Sequence, residues 1–157
     1  MQEKDYRKRL EEKQYLIDHL SPAESWRIFR IMAEFVDAID TLSPKIALIC
    51  TAMENKIPLV SSMGAGAKRD ATMVRLSDIS QSYNCPLAFM LRKRLRKMGI
   101  RKGFQVVFST ELPDTRAIIP CEEKNKKSQV GTISYLPAVF GCVCAQAAID
   151  YLCLSND

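Results

Sequence analysis

Apolar and polar positions along the chain fall into short strand-like runs separated by helical stripes. The run Phe35-Val-Asp-Ala-Ile39 reads as a buried strand that stops at a carboxylate, Asp40. Ser43 and Pro44 follow as N-cap and first residue of a helix predicted over about 43–55. Ile46, Ile49, Cys50 and Met53 form its apolar stripe. Ile57 to Ser62 predicts the next strand, so the three elements predict a parallel βαβ unit. An acid where a strand gives way to a helix has two readings. It is a turn aspartate bonded to nearby amides, or it holds magnesium against nucleotide phosphates in the crevice beyond the strand ends. Spacing alone leaves both open.

The segment Met63-Gly-Ala-Gly-Ala-Lys-Arg-Asp70 carries Gly64 and Gly66. It lacks the frame of a P-loop and is followed by a strand pattern, Thr72 to Ser77. Its glycines are expected to let the backbone bend or approach a neighbour. Pro86 to Met98 predicts a helix with Leu87, Leu91, Leu95 and Met98 inward. Phe104 to Thr110 predicts a strand, 112–130 a long flexible loop, and about 137–153 a final helix. Ahead of these lies a segment over residues 1–34. Its first 14 residues are a solvated charged run, and a helix capped by Ser21 follows with Trp26, Ile28, Phe29 and Met32 inward. Residues 35–157 form the second segment, with no composition shift that would mark a further domain.

With 157 residues, 47% apolar and 26% charged, the chain has the composition of an ordinary globular domain. The net charge of +5 matters less than its distribution. Arg92, Lys93, Arg94, Arg96, Lys97, Arg101 and Lys102 place seven positive charges within eleven residues that contain no acid. Such a run is either a solvated helix face or the footprint of a phosphate backbone. The six cysteines show no Cys-x-x-Cys pair and the N-terminus opens on charged residues. Reduced thiols and a cytoplasmic protein are expected. Ile133 to Leu154 is apolar but contains Pro137, Gln146 and Asp150. An aspartate near a bilayer centre costs about 3 kcal/mol, so a buried core helix is expected rather than a membrane span.

Three stretches in order, Val36-Asp-Ala-Ile-Asp40, Ser43-Pro-Lys-Ile-Ala-Leu-Ile49 and Ile57-Pro-Leu-Val-Ser-Ser-Met-Gly-Ala-Gly66, resemble the ThiF/MoeB/HesA superfamily of ubiquitin-activating-type adenylating enzymes. Cys85-Pro-Leu-Ala88, Arg92-Lys-Arg-Leu-Arg96, Val106-Val-Phe-Ser-Thr-Glu111 and Gly131-Thr-Ile-Ser-Tyr-Leu-Pro-Ala-Val-Phe-Gly141 are similar to its TcdA (CsdL) branch, the tRNA threonylcarbamoyladenosine dehydratases. The resemblance implies a Rossmann-like, ThiF-type, three-layer α/β fold in truncated form: a parallel βαβ unit, further strands and a C-terminal helix. It implies ATP and magnesium as cofactors. In that family they activate the carboxyl of the threonylcarbamoyl side chain, and ring closure expels AMP. Asp40 matches the family's magnesium/ATP carboxylate, Gly64 and Gly66 would border the same crevice, and the basic run at 92–102 would meet tRNA.

The family's glycine-rich turn, Gly-x-Gly-Gly-x-Gly, is not found in this chain, nor are its phosphate-pairing arginine and lysine. The chain is therefore expected to correspond to the C-terminal portion of an adenylating enzyme and to be inactive alone. Two other readings stand beside this one. The chain is a non-catalytic tRNA-binding remnant, or a remnant of a branch that activates a ubiquitin-like sulfur carrier, with such a carrier or a desulfurase as partner. An unpaired sheet edge invites pairing with a second copy. The isolated chain is therefore expected to self-associate, as a dimer or larger; a monodisperse monomer in sedimentation at tens of micromolar would refute this.

Overall fold

The computed structural model describes residues 36–123 and 126–154. The expectations for residues 1–34, and the boundary drawn after them, lie outside the described residues. Strand β1 (Val36–Asp37) leads to helix α1 (Leu42–Glu54) and strand β2 (Val60–Ser62). A 3₁₀ turn (Ala71–Met73) and strand β3 (Val74–Asp78) come next, then a second 3₁₀ turn (Ile79–Gln81) and helix α2 (Pro86–Lys97). Strand β4 (Gln105–Ser109) precedes a third 3₁₀ turn (Thr115–Ala117). The hairpin β5 (Ile118–Glu123) and β6 (Lys126–Val130), and helix α3 (Tyr135–Leu154), complete the described chain.

The main sheet has the order β1-β2-β4-β3, with β1, β2 and β4 parallel and β3 antiparallel to β4. The parallel βαβ unit is as expected, and the whole is a mixed α/β, Rossmann-like arrangement. Alternation along β4 explains the layering. Val106 and Phe108 point to one face, where Ile46 and Ile49 of α1 and Ala88, Leu91 and Leu95 of α2 cover them. Val107 points to the other, against Leu136, Phe140 and Cys144 of α3. The sheet is thus buried on both sides, as parallel strands require. Three aspartates, Asp70, Asp78 and Asp114, cap the 3₁₀ turns by accepting the amide two residues on.

Several boundaries differ from the sequence expectation. Helix α1 starts at Leu42 with Thr41 as N-cap, not at Ser43–Pro44, and no side chain caps it. Pro44 still falls in the first turn, where an amide would lack an intrahelical partner. Met98 is 56% exposed rather than inward, because α2 ends at Lys97 and the chain turns at Gly99 (φ 83°). The expected loop at 112–130 contains the β5–β6 hairpin. Its ladder is a backbone property, and the polar sequence there carries no apolar alternation to reveal it.

The hairpin base is fastened to the glycine-bearing segment. The Ala67 amide donates to the Gly131 carbonyl at 2.8 Å, the Gly131 amide to Ala117 at 2.8 Å, and the Asp114 amide to Ala67 at 2.7 Å. A Cβ at Gly66 would lie 2.6 Å from Cγ1 of Val130. We expect Gly66→Ala to lower stability by about 1–3 kcal/mol in urea denaturation. Adding Val130→Ala, which removes the clashing atom, should recover most of that loss in a double-mutant cycle.

Candidate functional site

The carboxyl end of β1 is built around a buried ion pair. Asp37 and Ser61 are register partners, and Ser61 in turn pairs with Val106. All three therefore face the layer occupied by α1 and α2. Lys45, in the first half of α1, reaches Asp37 Oδ2 at 2.7 Å, and both side chains are 0% exposed. Ser61 Oγ donates to the same carboxylate oxygen at 2.6 Å. The pair also grips the turn that follows: the Ile39 amide donates to Asp37 Oδ1 at 2.9 Å and Lys45 Nζ donates to the Ile39 carbonyl at 2.8 Å. Burial pushes the Lys45 ammonium below its usual pKa, and the hydrogen bond and charge of Asp37 oppose that shift.

Asp40, the third residue beyond the strand, is exposed and follows this clamped peptide. It lines an open cavity of about 1000 Å³ at the carboxyl ends of β1 and β2. Gly64 and Gly66 line the same cavity from the β2 side, and Phe140 and Cys144 of α3 floor it. Val130 and Thr132 form its outer wall. The structure thus brings together the three residues that the sequence singled out. Among the described residues Asp40 is the one charged residue lining the cavity, whose described walls are otherwise mostly apolar. Among the described residues no group of three or more His, Cys, Asp or Glu side chains could hold a metal.

Below the lip of the cavity lies a second buried lysine. Lys68 donates to the carbonyls of Asn84 at 2.9 Å and Ser109 at 2.7 Å. Burial lowers its pKa, with Cys85 and Glu111 acting in the opposite sense. Glu111 itself accepts the amides of Arg69 and Asp70, each at 2.9 Å. The Tyr135 hydroxyl donates to the Arg69 carbonyl. Residues 66–70 are therefore held from several sides.

The basic run separates into parts. Arg92 is half-buried and donates to the carbonyl and hydroxyl of Ser82, fastening α2 to the preceding turn. Lys93, Arg94, Arg96, Lys97, Arg101 and Lys102 are exposed. None of these seven lines the large cavity. Sequence reasoning missed Asp37, Lys45 and Ser61. The available signal was an acid inside a predicted strand and a lysine adjoining the apolar stripe of the next helix.

Fold and cavity define an α/β domain with a carboxylate and a glycine-bearing segment at the carboxyl ends of parallel strands, the usual ligand crevice of such sheets. No protein-family model matches the chain. The tRNA threonylcarbamoyladenosine dehydratase of Bacillus subtilis (strain 168) is 38% identical over 116 residues, 69% of this chain and 46% of that protein. The dehydratase of Escherichia coli (strain K12) is 43% identical over 83 residues, 48% of this chain and 31% of that one. The crystal structure of E. coli TcdA in complex with ATP superposes with a TM-score of 0.67 at 32% identity, covering 78% of this chain and 49% of that chain. The AMP complex gives 0.66 at the same identity, covering 78% and 50%. The chain resembles the C-terminal portion of these tRNA threonylcarbamoyladenosine dehydratases. It spans about half the length, or less, of the curated relatives it matches.

The ion pair yields a stability prediction. Lys45→Met leaves the Asp37 carboxylate buried without its counter-charge and should cost about 3–5 kcal/mol in urea denaturation. Adding Asp37→Asn removes the orphaned charge and should recover part of that loss.

Proposed function

We propose that this chain supplies the carboxyl-side half of an ATP-dependent tRNA threonylcarbamoyladenosine dehydratase site and is inactive by itself. The observation that carries the reading is the convergence of Asp40, Gly64 and Gly66 on one cavity at the strand ends. Its support is a fold that matches E. coli TcdA bound to ATP over 78% of the chain. The residues present fit a magnesium ion only in part. A carboxylate oxygen suits this hard cation, which commonly takes one or two carboxylates and completes its shell with phosphate oxygens and water. Among the described residues the cavity walls offer no lysine or arginine to the phosphates themselves. Bound ATP and magnesium supply carboxyl activation. This chain's own part is to present Asp40 at a fixed place, to give a mostly apolar wall, and to leave room beside Gly64 and Gly66. The positive surface of α2 receives the tRNA. Partners, self-association through the β1 edge and a cytoplasmic location belong to the same proposal.

A chimera tests it. The matched segment of the B. subtilis dehydratase is replaced by residues 35–157 of this chain, and the cyclised nucleoside is measured by mass spectrometry of digested tRNA. We expect product from the chimera, none from the isolated chain, and a loss of about 100-fold in the chimera carrying Asp40→Ala. Product from the isolated chain, or an unaffected Asp40→Ala chimera, would overturn the proposal.

A further inference from the structure

Helix α2 carries two distinct polar surfaces, and one of them contains an aromatic ring. Ala88, Leu91 and Leu95 face the core. Phe89, Arg92, Lys93 and Arg96 follow at the spacing i, i+3, i+4, i+7 and so share one stripe. Together they line a shallow groove of about 290 Å³. Phe89 is 57% exposed, whereas Phe104, Phe108 and Phe140 are buried. Arg94 and Lys97 fall with Met90 on another side of the helix. Arg92 already spends its guanidinium on Ser82. Lys93 and Arg96 make no ion pair among the described residues. The stripe therefore offers one exposed ring, two free cations next to it, and a third cation that fixes the surface.

We infer that this stripe binds unpaired RNA, with a nucleobase stacked on Phe89 and the flanking phosphates on Lys93 and Arg96. Charge complementarity selects the occupant. No acid lies among residues 86–102, so a polyanion is favoured over a mixed protein surface. The exposed ring then selects among polyanions. Duplex backbones present phosphates but no base faces, whereas unpaired bases stack on aromatic side chains in loops and single strands. Arg96 beside the ring adds a planar cation to the same platform. The inference deepens the tRNA part of the proposed function by naming a loop or single-stranded segment as what α2 contacts. It needs no ATP, so a chimera that failed to cyclise would leave it standing.

The test uses the full chain and a short fluorescein-labelled oligoribonucleotide, presented single-stranded or as its blunt duplex, followed by anisotropy between about 50 and 200 mM salt. The single strand should bind more tightly than the duplex. Phe89→Ala should weaken the single strand about tenfold while leaving the duplex nearly unchanged. Phe89→Trp should restore binding, with its added indole fluorescence quenched on RNA addition. Lys93→Ala and Arg96→Ala should each lower the salt slope by about one. Equal loss for both RNA forms in Phe89→Ala, or no loss in either, overturns the inference. So does binding confined to anionic lipid vesicles, or a Phe89→Ala effect that sedimentation traces to lost self-association.

Discussion

A buried Asp37–Lys45 ion pair governs how the site is built. Taking two charges out of water costs several kcal/mol per ion, and the pair persists only because its remaining valences are filled. Here the extra bonds go to Ser61 and to both backbone groups of Ile39. The pair thereby joins β1, β2, α1 and the turn between strand and helix. A two-residue strand at the end of a sheet has little ladder of its own to hold it. The ion pair supplies from the side chains what the backbone does not, and the peptide it grips is the one leading into Asp40. The placement of the exposed carboxylate is thus set by a buried one three residues earlier.

The electrostatics of the cavity follow from the same arrangement. Lys45 is close enough to oppose the upward shift that burial imposes on the Cys144 thiol, yet its charge is consumed by Asp37 and the Ile39 carbonyl. Lys68 is likewise turned inward onto two carbonyls. Two buried lysines are spent on other partners and neither is among the lining residues, so the described residues give the cavity a single negative charge. A polyphosphate entering such a space needs cations from elsewhere, either metal ions or side chains outside the residues that line it. The densest exposed positive charge among the described residues, on α2 and just after it, lies away from the cavity walls, and exposed Lys56, Arg69 and Arg75 do not line the cavity either.

Much of this was legible in the residues. The apolar alternation of β4 and the stripe of α2 mark the two sides of the sheet, and the strand–acid–helix order marked Asp40. The glycines proved informative for packing: Gly66 is required where Val130 comes within contact of its backbone. The ion pair was not legible, because its members are eight positions apart on different elements. The acid inside the strand and the lysine beside the stripe can each be seen alone, but nothing in the sequence joins them. The hairpin was hidden for a different reason. Its strands are held by a ladder whose register shifts between Pro120 and Glu123, and neither the ladder nor the shift leaves a period in the side chains. Arg92 shows a third kind of loss: composition counts it with its neighbours, and only geometry separates a fastening from a free charge.

The two sides of the cavity are held by unlike forces. On the β1 side a desolvated ion pair and close-packed helices fix Asp40, and distortion there would expose or orphan a charge. On the opposite side the wall is the hairpin base, carried by backbone bonds among Ala67, Asp114, Ala117 and Gly131. Ala67 adopts a positive φ of 58°, a conformation that costs a non-glycine residue about 1 kcal/mol or more, and those bonds hold it there. Adjacent Gly66 accepts Val130 only because it has no side chain. The acid is therefore anchored through buried charge, while the surface facing it is anchored through a few backbone bonds near the solvent. Any change of cavity width is cheaper on the hairpin side, since opening it breaks hydrogen bonds that water can replace.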